Sequence, residues 1–265
     1  QPAFPLPNSP RLDQRIKRLF PFLLTADQEK VIQEIAADMA RTEPMNRLLQ
    51  GDVGSGKTVV ALYAALLAVG NHKQVAIMAP TEILAEQHFL HIEHFLRDSQ
   101  VRRVLLTGGL TGSKRTTLLE EIKNGSIDIV VGTQALLQQD VAFHNLALVV
   151  VDEQHKFGVR QRQQIRGKDI APHYLVMTAT PIPRTLAMTV FGDLEISTIE
   201  HLPPGRREIL TRWVPPDKLP EACEFIRKQL QQKRQAYFVY PRVERTKNPV
   251  PWKLTRPVKP VGPAS

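Results

Sequence analysis

Cysteine is almost absent: Cys223 is the only one in 265 residues. That excludes an internal disulfide framework and suits a reducing compartment. On the helical stretch 220–231 it reads as a small face residue rather than a reactive thiol. Long apolar runs are missing as well. None approaches the ~20 residues that span a bilayer, and no charged-apolar-small leader pattern opens the sequence. A soluble, cytoplasmic protein with no membrane partner is expected. An excess of one charge is lacking over most of the chain. The formal net charge is +9, yet residues 1–205 hold 21 basic and 21 acidic side chains, so the whole excess lies in residues 206–265. A broad basic face is thereby excluded for the bulk of the protein, and nucleic-acid contacts there must come from local groups and backbone. No internal repeat is present.

What is there begins with Gly51-Asp52-Val53-Gly54-Ser55-Gly56-Lys57-Thr58, set between Leu48-Leu49 and the apolar segment Val59 to Val69. Strand, glycine loop and helix in that order are the setting of a phosphate-binding loop. Gly51, Gly54 and Gly56 permit a tight turn with inward-facing N–H groups, and the helix N-terminus adds positive partial charge. Lys57 is expected to reach the β- and γ-phosphates and Thr58 to ligate Mg²⁺. A glycine-rich turn that matches by chance is the competing reading, and the strand-before, helix-after context argues against it.

Along the chain, residues 1–10 carry four prolines and little periodicity, as in a linker or frayed terminus. Helical spacing follows over 11–19. Thr25 then caps a helix through Met39 with Val31, Ile32, Ile35 and Met39 on one face; Gln28 on spacing alone is a polar first-turn residue. Past the glycine loop, strands at 74–79, 101–106, 127–131, 146–151 and 174–177 alternate with helices at 83–96 and 116–123 and a polar helix around 160–165. Such alternation predicts an α/β fold, mainly a parallel sheet with helices on both faces. Ligands then gather at the carboxyl ends of the strands. Strands at 208–214 and 236–240 around a helix at 220–231 read as the start of a second α/β unit. From Thr246 onward five prolines and four basic residues without an acid read as a disordered tail. The expected organisation is a linker at 1–10, an ATP-binding domain at 11–200, a linker and the beginning of a second domain at 201–244, and a tail at 245–265.

A magnesium nucleotide needs an acid at a neighbouring strand tip and a group that positions water. Val149-Val150-Val151-Asp152-Glu153 offers both: Asp152 for Mg²⁺ and Glu153 to polarise the attacking water, with Lys57, Asp152 and Glu153 as the catalytic set. His155 and Thr178-Ala179-Thr180 follow at adjacent strand tips, where small hydroxyls can couple hydrolysis to loop motion.

Taken together, Gly51 to Thr58, Asp152-Glu153-Gln154-His155 and Thr178-Ala179-Thr180 resemble the motif series of superfamily 2 helicases over about residues 20–243. Asp152 to Val159, Thr178 to Met188 and Leu202-Pro203-Pro204-Gly205-Arg206 closely resemble the RecG-like branch, helicases of branched DNA. Transcription-repair coupling translocases share Gly51-Asp52-Val53-Gly54 but are expected to carry Glu-Gln in place of Gln154-His155. The resemblance implies a RecA-like P-loop NTPase fold, and that Gln28 reads adenine. It also implies that Pro80 and Thr81, Gly108 and Gly109, and Thr133 and Gln134 grip a DNA strand, through hydroxyls and backbone N–H groups that bond phosphates without reading sequence. In that family a wedge domain precedes this region and a second motor domain with an arginine finger follows it, so the expectation is a monomeric first motor domain, truncated early in the second and weakly active or inactive by itself. A nucleotide-binding interaction module without turnover is the alternative from another class.

Overall fold

Short apolar runs that alternate between two cores build the sheet. In the strand Gln74–Met78 (β2), Val75 and Ile77 enter one cluster while Ala76 and Met78 enter the other. Leu146–Asp152 (β5) splits in the same way, with Leu148 and Val150 on one side and Val149 and Val151 on the other. A strand apolar on both faces must be covered on both faces, which is the environment of a parallel sheet sandwiched by helices. The computed structural model describes residues 1–110, 112–138, 140–152, 170–180, 194–201, 203 and 210–239. Its residues fall into two units, Gln1–Arg206 and Arg207–Ser265.

The described part of the first unit holds helices Pro10–Lys17 (α1) and Ala26–Met39 (α2), strand Asn46–Gly51 (β1), helix Lys57–Gly70 (α3), β2, helix Glu82–Phe95 (α4), strand Arg103–Leu106 (β3), helix Gly112–Lys123 (α5) and strand Ile129–Gly132 (β4). A 3-10 turn at Gln134–Leu137, β5, and strands His173–Thr178 (β6) and Glu195–Ile199 (β7) complete it. The seven strands run in the order β3-β4-β2-β5-β6-β1-β7, every neighbouring pair parallel. The expected α/β class and parallel sheet are observed. Helix α3 is buried from Val60 through Ala68, because it packs on β1, β2 and β5 and is itself covered by α1 and α2. Among the described residues no helix is long and apolar enough to cross a membrane.

Two expectations are corrected. Residues 1–10 are not a frayed linker: Ala3 N–H donates to the Thr42 carbonyl, Leu6 N–H to that of Met39 and Ala171 N–H to that of Pro2, with Leu6 fully buried. Prolines remove donors and periodicity but leave carbonyls and side chains to pack, so the stretch is a strap. Glu195–Ile199 adds an edge strand, β7, beside β1. In the second unit the described residues hold a 3-10 turn at Pro216–Lys218 and helix Leu219–Gln231 (α6). Residues 210–214 and 236–239 are not strand, and Leu210, Trp213, Tyr237 and Val239 are exposed; β-propensity does not make a strand where nothing pairs with it. The expected helix at 160–165 and tail at 245–265 lie outside the described residues.

Candidate functional site

All seven strands point the same way, so their carboxyl ends share one edge, and strand order sorts the loops along it. Register pairs Gln50 with Thr178 and Asp152 with Met177, which sets the tips of β1, β6 and β5 side by side. At the other end, Leu106 pairs with Gly132 and Met78 with Gly132, so the loops after β3, β4 and β2 are also neighbours. The glycine loop, Asp152 and Thr178 thus occupy one half of the edge, and Pro80-Thr81, Gly108-Gly109 and Thr133-Gln134 the other.

In the glycine loop the backbone turns through positive φ at Gly54 (80°) and Gly56 (93°), which glycine alone adopts without strain. Gly51 ends β1, and a Cβ there would lie 2.7 Å from Ser55 Oγ. Gly56 is tighter still: a Cβ would sit 2.1 Å from Gln28 Nε2. Lys57 opens α3 and curls back, its Nζ donating to the carbonyls of Gly51 (2.6 Å) and Asp52 (2.9 Å). The ammonium therefore lies over the loop. Thr58 follows in the first turn of α3, half-buried.

Behind the loop stands Gln28. Its Oε1 accepts the Thr25 N–H (2.9 Å) while Thr25 Oγ1 accepts the Gln28 N–H (3.3 Å), a reciprocal cap on α2. Its Nε2 donates to the Ser55 carbonyl (2.8 Å), and the side chain is 3% exposed. Gln28 is thus more than a polar first-turn residue; it is a strut between α2 and the loop. The next residue back, Asp27, accepts N–H bonds from Glu200 (2.9 Å) and His201 (2.8 Å) as the chain leaves β7. The His201 backbone N–H, then its side chain, hold the Asp27 carboxyl below the usual carboxylate range.

Asp152 ends β5 half-buried, and its Oδ2 lies 2.6 Å from Nε2 of His88 on α4. A carboxylate only accepts, so Nε2 carries the proton. Next to it, Thr178 Oγ1 and Thr180 Oγ1 are 2.9 Å apart, and Thr180 N–H donates to Thr178 Oγ1 (3.2 Å), closing a small turn around Ala179. Glu153 and His155 lie outside the described residues.

On the other half of the edge, Thr81 caps α4 by accepting the Leu84 N–H (3.3 Å), and Thr133 accepts the Ala135 N–H (3.5 Å) ahead of Gln134. Glu82 Oε1 accepts the N–H of Gly108 (3.0 Å), tying the loop after β3 to the start of α4. Gly109 has nothing within 4 Å of a Cβ position. Gly132 is required by close approach, since a Cβ there would lie 2.3 Å from the Leu106 carbonyl oxygen.

Sequence reasoning passed over His88, though a signal existed. Ala85, His88 and Ile92 lie on the one buried face of α4, and a polar side chain in such a row requires a partner.

Two features test the fit of a magnesium nucleotide. Ser55 Oγ is fully buried without a hydrogen-bond partner among the described residues, and the loop is shaped by glycines whose Cβ atoms would fill it. An acid two strands away from a glycine loop with an inward lysine completes the donor set. Thr58 and Asp152 fit the metal; Lys57 and the loop fit phosphate.

A glycine loop between strand and helix, on a parallel sheet whose central strands carry an acid and a Thr-Ala-Thr turn, defines a RecA-like domain of the helicase type. The chain belongs to the DEAD/DEAH box helicases, whose family model matches residues 25–189. It is 48% identical over 235 residues to the ATP-dependent DNA helicase RecG of Aquifex aeolicus (strain VF5), an alignment covering 88% of this chain and 30% of that protein. With the RecG of Bacillus subtilis (strain 168) it shares 50% identity over 230 residues, 87% of this chain and 34% of that protein. The structure of RecG bound to a three-way DNA junction superposes with a TM-score of 0.82 at 42% identity, covering 91% of this chain and 32% of that one. The chain spans about a third of the length of these relatives.

Proposed function

We propose that this chain is the ATP-binding motor domain of a RecG-like DNA helicase that acts on branched DNA in recombination and repair in the cytoplasm, working as a monomer. The reading is carried by the sorted sheet edge: phosphate loop, Asp152 and Thr178 on β1, β5 and β6, and exposed hydroxyl and glycine loops after β2, β3 and β4. Gly51, Gly54, Ser55 and Gly56 cradle the phosphates with backbone N–H groups, and Lys57 leaves the Gly51 and Asp52 carbonyls for the β- and γ-phosphates. Thr58 and Asp152 would hold Mg²⁺, which would supply charge neutralisation on the transferring phosphoryl group. Glu153 orients the attacking water. Gln28 acts on the nucleotide, and takes its part in reading adenine, through the loop it braces. His155 and the Thr178-Ala179-Thr180 turn relay the state of the terminal phosphate.

On the other side, Pro80, Thr81, Gly108, Gly109, Thr133 and Gln134 bind one DNA strand through its phosphates. The balanced charge of residues 1–205 suits contacts made by backbone and hydroxyl groups. Calorimetry of ADP and ATP binding in magnesium, followed by ATPase assays with and without forked DNA, tests the reading. Magnesium-dependent binding and DNA-stimulated turnover in a protein that includes this domain are expected. Binding without any turnover would make the chain a nucleotide-sensing module; no binding would overturn the proposal.

A further inference from the structure

A side-chain contact crosses between the two halves of the sheet edge. His88 is buried on the inner face of α4, 64 residues from the strand tip it touches, and its Nε2 lies 2.6 Å from Asp152 Oδ2. The helix it sits on starts at the opposite half: Thr81 is its cap, and Glu82 in its first turn holds the Gly108 N–H. Ala85 and Ile92, on the same face, bury α4 against the core and fix the height of the imidazole. A carboxylate at a strand tip can rotate about its terminal bond and offer either oxygen. With Oδ2 committed to an N–H, that rotation is removed.

We propose that His88 is a positioning residue for the metal-holding carboxylate: by donating Nε2–H to Oδ2 it selects Oδ1 of Asp152 as the oxygen that serves Mg²⁺. It also makes α4 the rigid link between that carboxylate and the loops after β2 and β3. The inference rests on the nucleotide reading above. Outer partners that orient a ligating carboxylate shape metal affinity without touching the metal. A histidine that only anchored α4 would alter stability and leave the magnesium response alone.

The test is calorimetry of ADP binding to the full 265-residue chain, in magnesium and in excess EDTA; the ratio of the two affinities is the magnesium gain. His88→Leu should cut that gain by about 10- to 100-fold while leaving affinity in EDTA unchanged. His88→Gln, whose amide reaches about as far as Nε2, should keep most of it. In an Asp152→Asn background, His88→Leu should have no further effect, because its only route to the metal has gone. Should His88→Leu not fold, His88→Asn, whose amide falls short of Asp152, takes its place. An unchanged gain in His88→Leu, an equal loss in His88→Gln, or a loss that adds to that of Asp152→Asn would overturn the proposal. A parent chain that binds no ADP would instead overturn the nucleotide reading beneath it.

Discussion

Gln28 Nε2 donates to the Ser55 carbonyl at 2.8 Å, and a Cβ on Gly56 would lie 2.1 Å from that same nitrogen. Glutamine and glycine are therefore a fitted pair. The amide occupies the volume that a side chain at 56 would need, and it satisfies the Ser55 carbonyl inside the loop. Because Oε1 of Gln28 is held by the Thr25 N–H, the amide cannot flip, and the nitrogen faces Ser55 whatever binds in front.

Replacing Gln28 by alanine leaves the Ser55 carbonyl without its donor, at a cost of about 1–3 kcal/mol. Gln28→Glu should be worse, since an oxygen would then face an oxygen. Urea denaturation should rank parent, Gln28→Ala and Gln28→Glu in falling order, with nucleotide affinity falling in the same order. Equal stability of the alanine and glutamate variants would mean that the amide donor is not what braces the loop.

At the phosphate side, Lys57→Ala removes the one ammonium that curls over the loop, and charge-assisted bonds to phosphate are about twice as strong as neutral ones. ATP affinity by calorimetry should fall at least 10-fold. Asp152→Asn should leave affinity in EDTA intact and lose the magnesium-dependent part. An ATP affinity for Lys57→Ala within twofold of the parent would remove the lysine from the phosphate site.

The base of the domain makes a separate prediction about stability. Arg47 on β1 is 5% exposed; its Nε and Nη2 donate to Asp38 Oδ2 (2.9 and 2.5 Å), Nη1 to Ser197 Oγ (2.7 Å), and Nη2 also to Glu195. The guanidinium thus ties α2 and the edge strand β7 to β1. Removing one partner of a buried ion pair strands the other, and Asp38→Ala should cost about 3 kcal/mol. Arg47→Met combined with Asp38→Leu should recover much of that loss in urea denaturation, because the two buried charges leave together and the partners that remain, Glu34, Glu195 and Arg41, reach solvent.

On the half of the edge proposed to hold DNA, the limiting contact is between a Cβ at 132 and the backbone of β3. Gly132→Ala would push a methyl to 2.3 Å from the Leu106 carbonyl, which belongs to the paired strand β3 and cannot swing away. Forcing β3 and β4 apart should destabilise by about 1–3 kcal/mol and weaken single-strand affinity, measured by fluorescence anisotropy. ADP affinity should stay at the parent value, since β4 lies beyond β2 from the nucleotide half. A matching loss of ADP affinity would show that the two halves of the edge do not act separately.

How much of this was legible follows from the range of each interaction. The strands 74–78, 146–152 and 173–178 lie within two residues of their expected ends, because apolar runs bounded by polar residues are local signals. Thr25 as cap and the glycine loop are equally local. The strap at 1–10 was misread because its hydrogen bonds reach Met39, Thr42 and Ala171 from carbonyls and N–H groups that leave no pattern in side chains. The buried network of Arg47 and the pairing of His88 with Asp152 span 9 to 150 and 64 residues. Such contacts follow from strand order, which spacing along the chain does not encode.

Strand order also sets the last prediction, which concerns acid. His173 opens β6 fully enclosed; its Nδ1 accepts the Met45 N–H (3.0 Å) and its Nε2 donates to the Phe4 carbonyl (2.8 Å), so one neutral tautomer joins the sheet to the N-terminal strap. Burial lowers its pKa below the ordinary histidine value, outweighing the opposing pull of the Phe4 carbonyl and of Asp38. Above the unfolded value of about 6.5 both states are neutral and the contribution to stability is complete. As pH falls below that value the unfolded chain takes up a proton that the folded chain refuses, and stability declines until the folded pKa is passed. The slope from this one group cannot exceed about 1.4 kcal/mol per pH unit. His173→Asn keeps an acceptor near Met45 and cannot titrate. Its urea midpoint should therefore fall less than that of the parent between neutral and mildly acidic pH, while being lower at neutral pH for want of the bond to Phe4. A variant whose midpoint drops as steeply as the parent's would place the acid sensitivity on other groups.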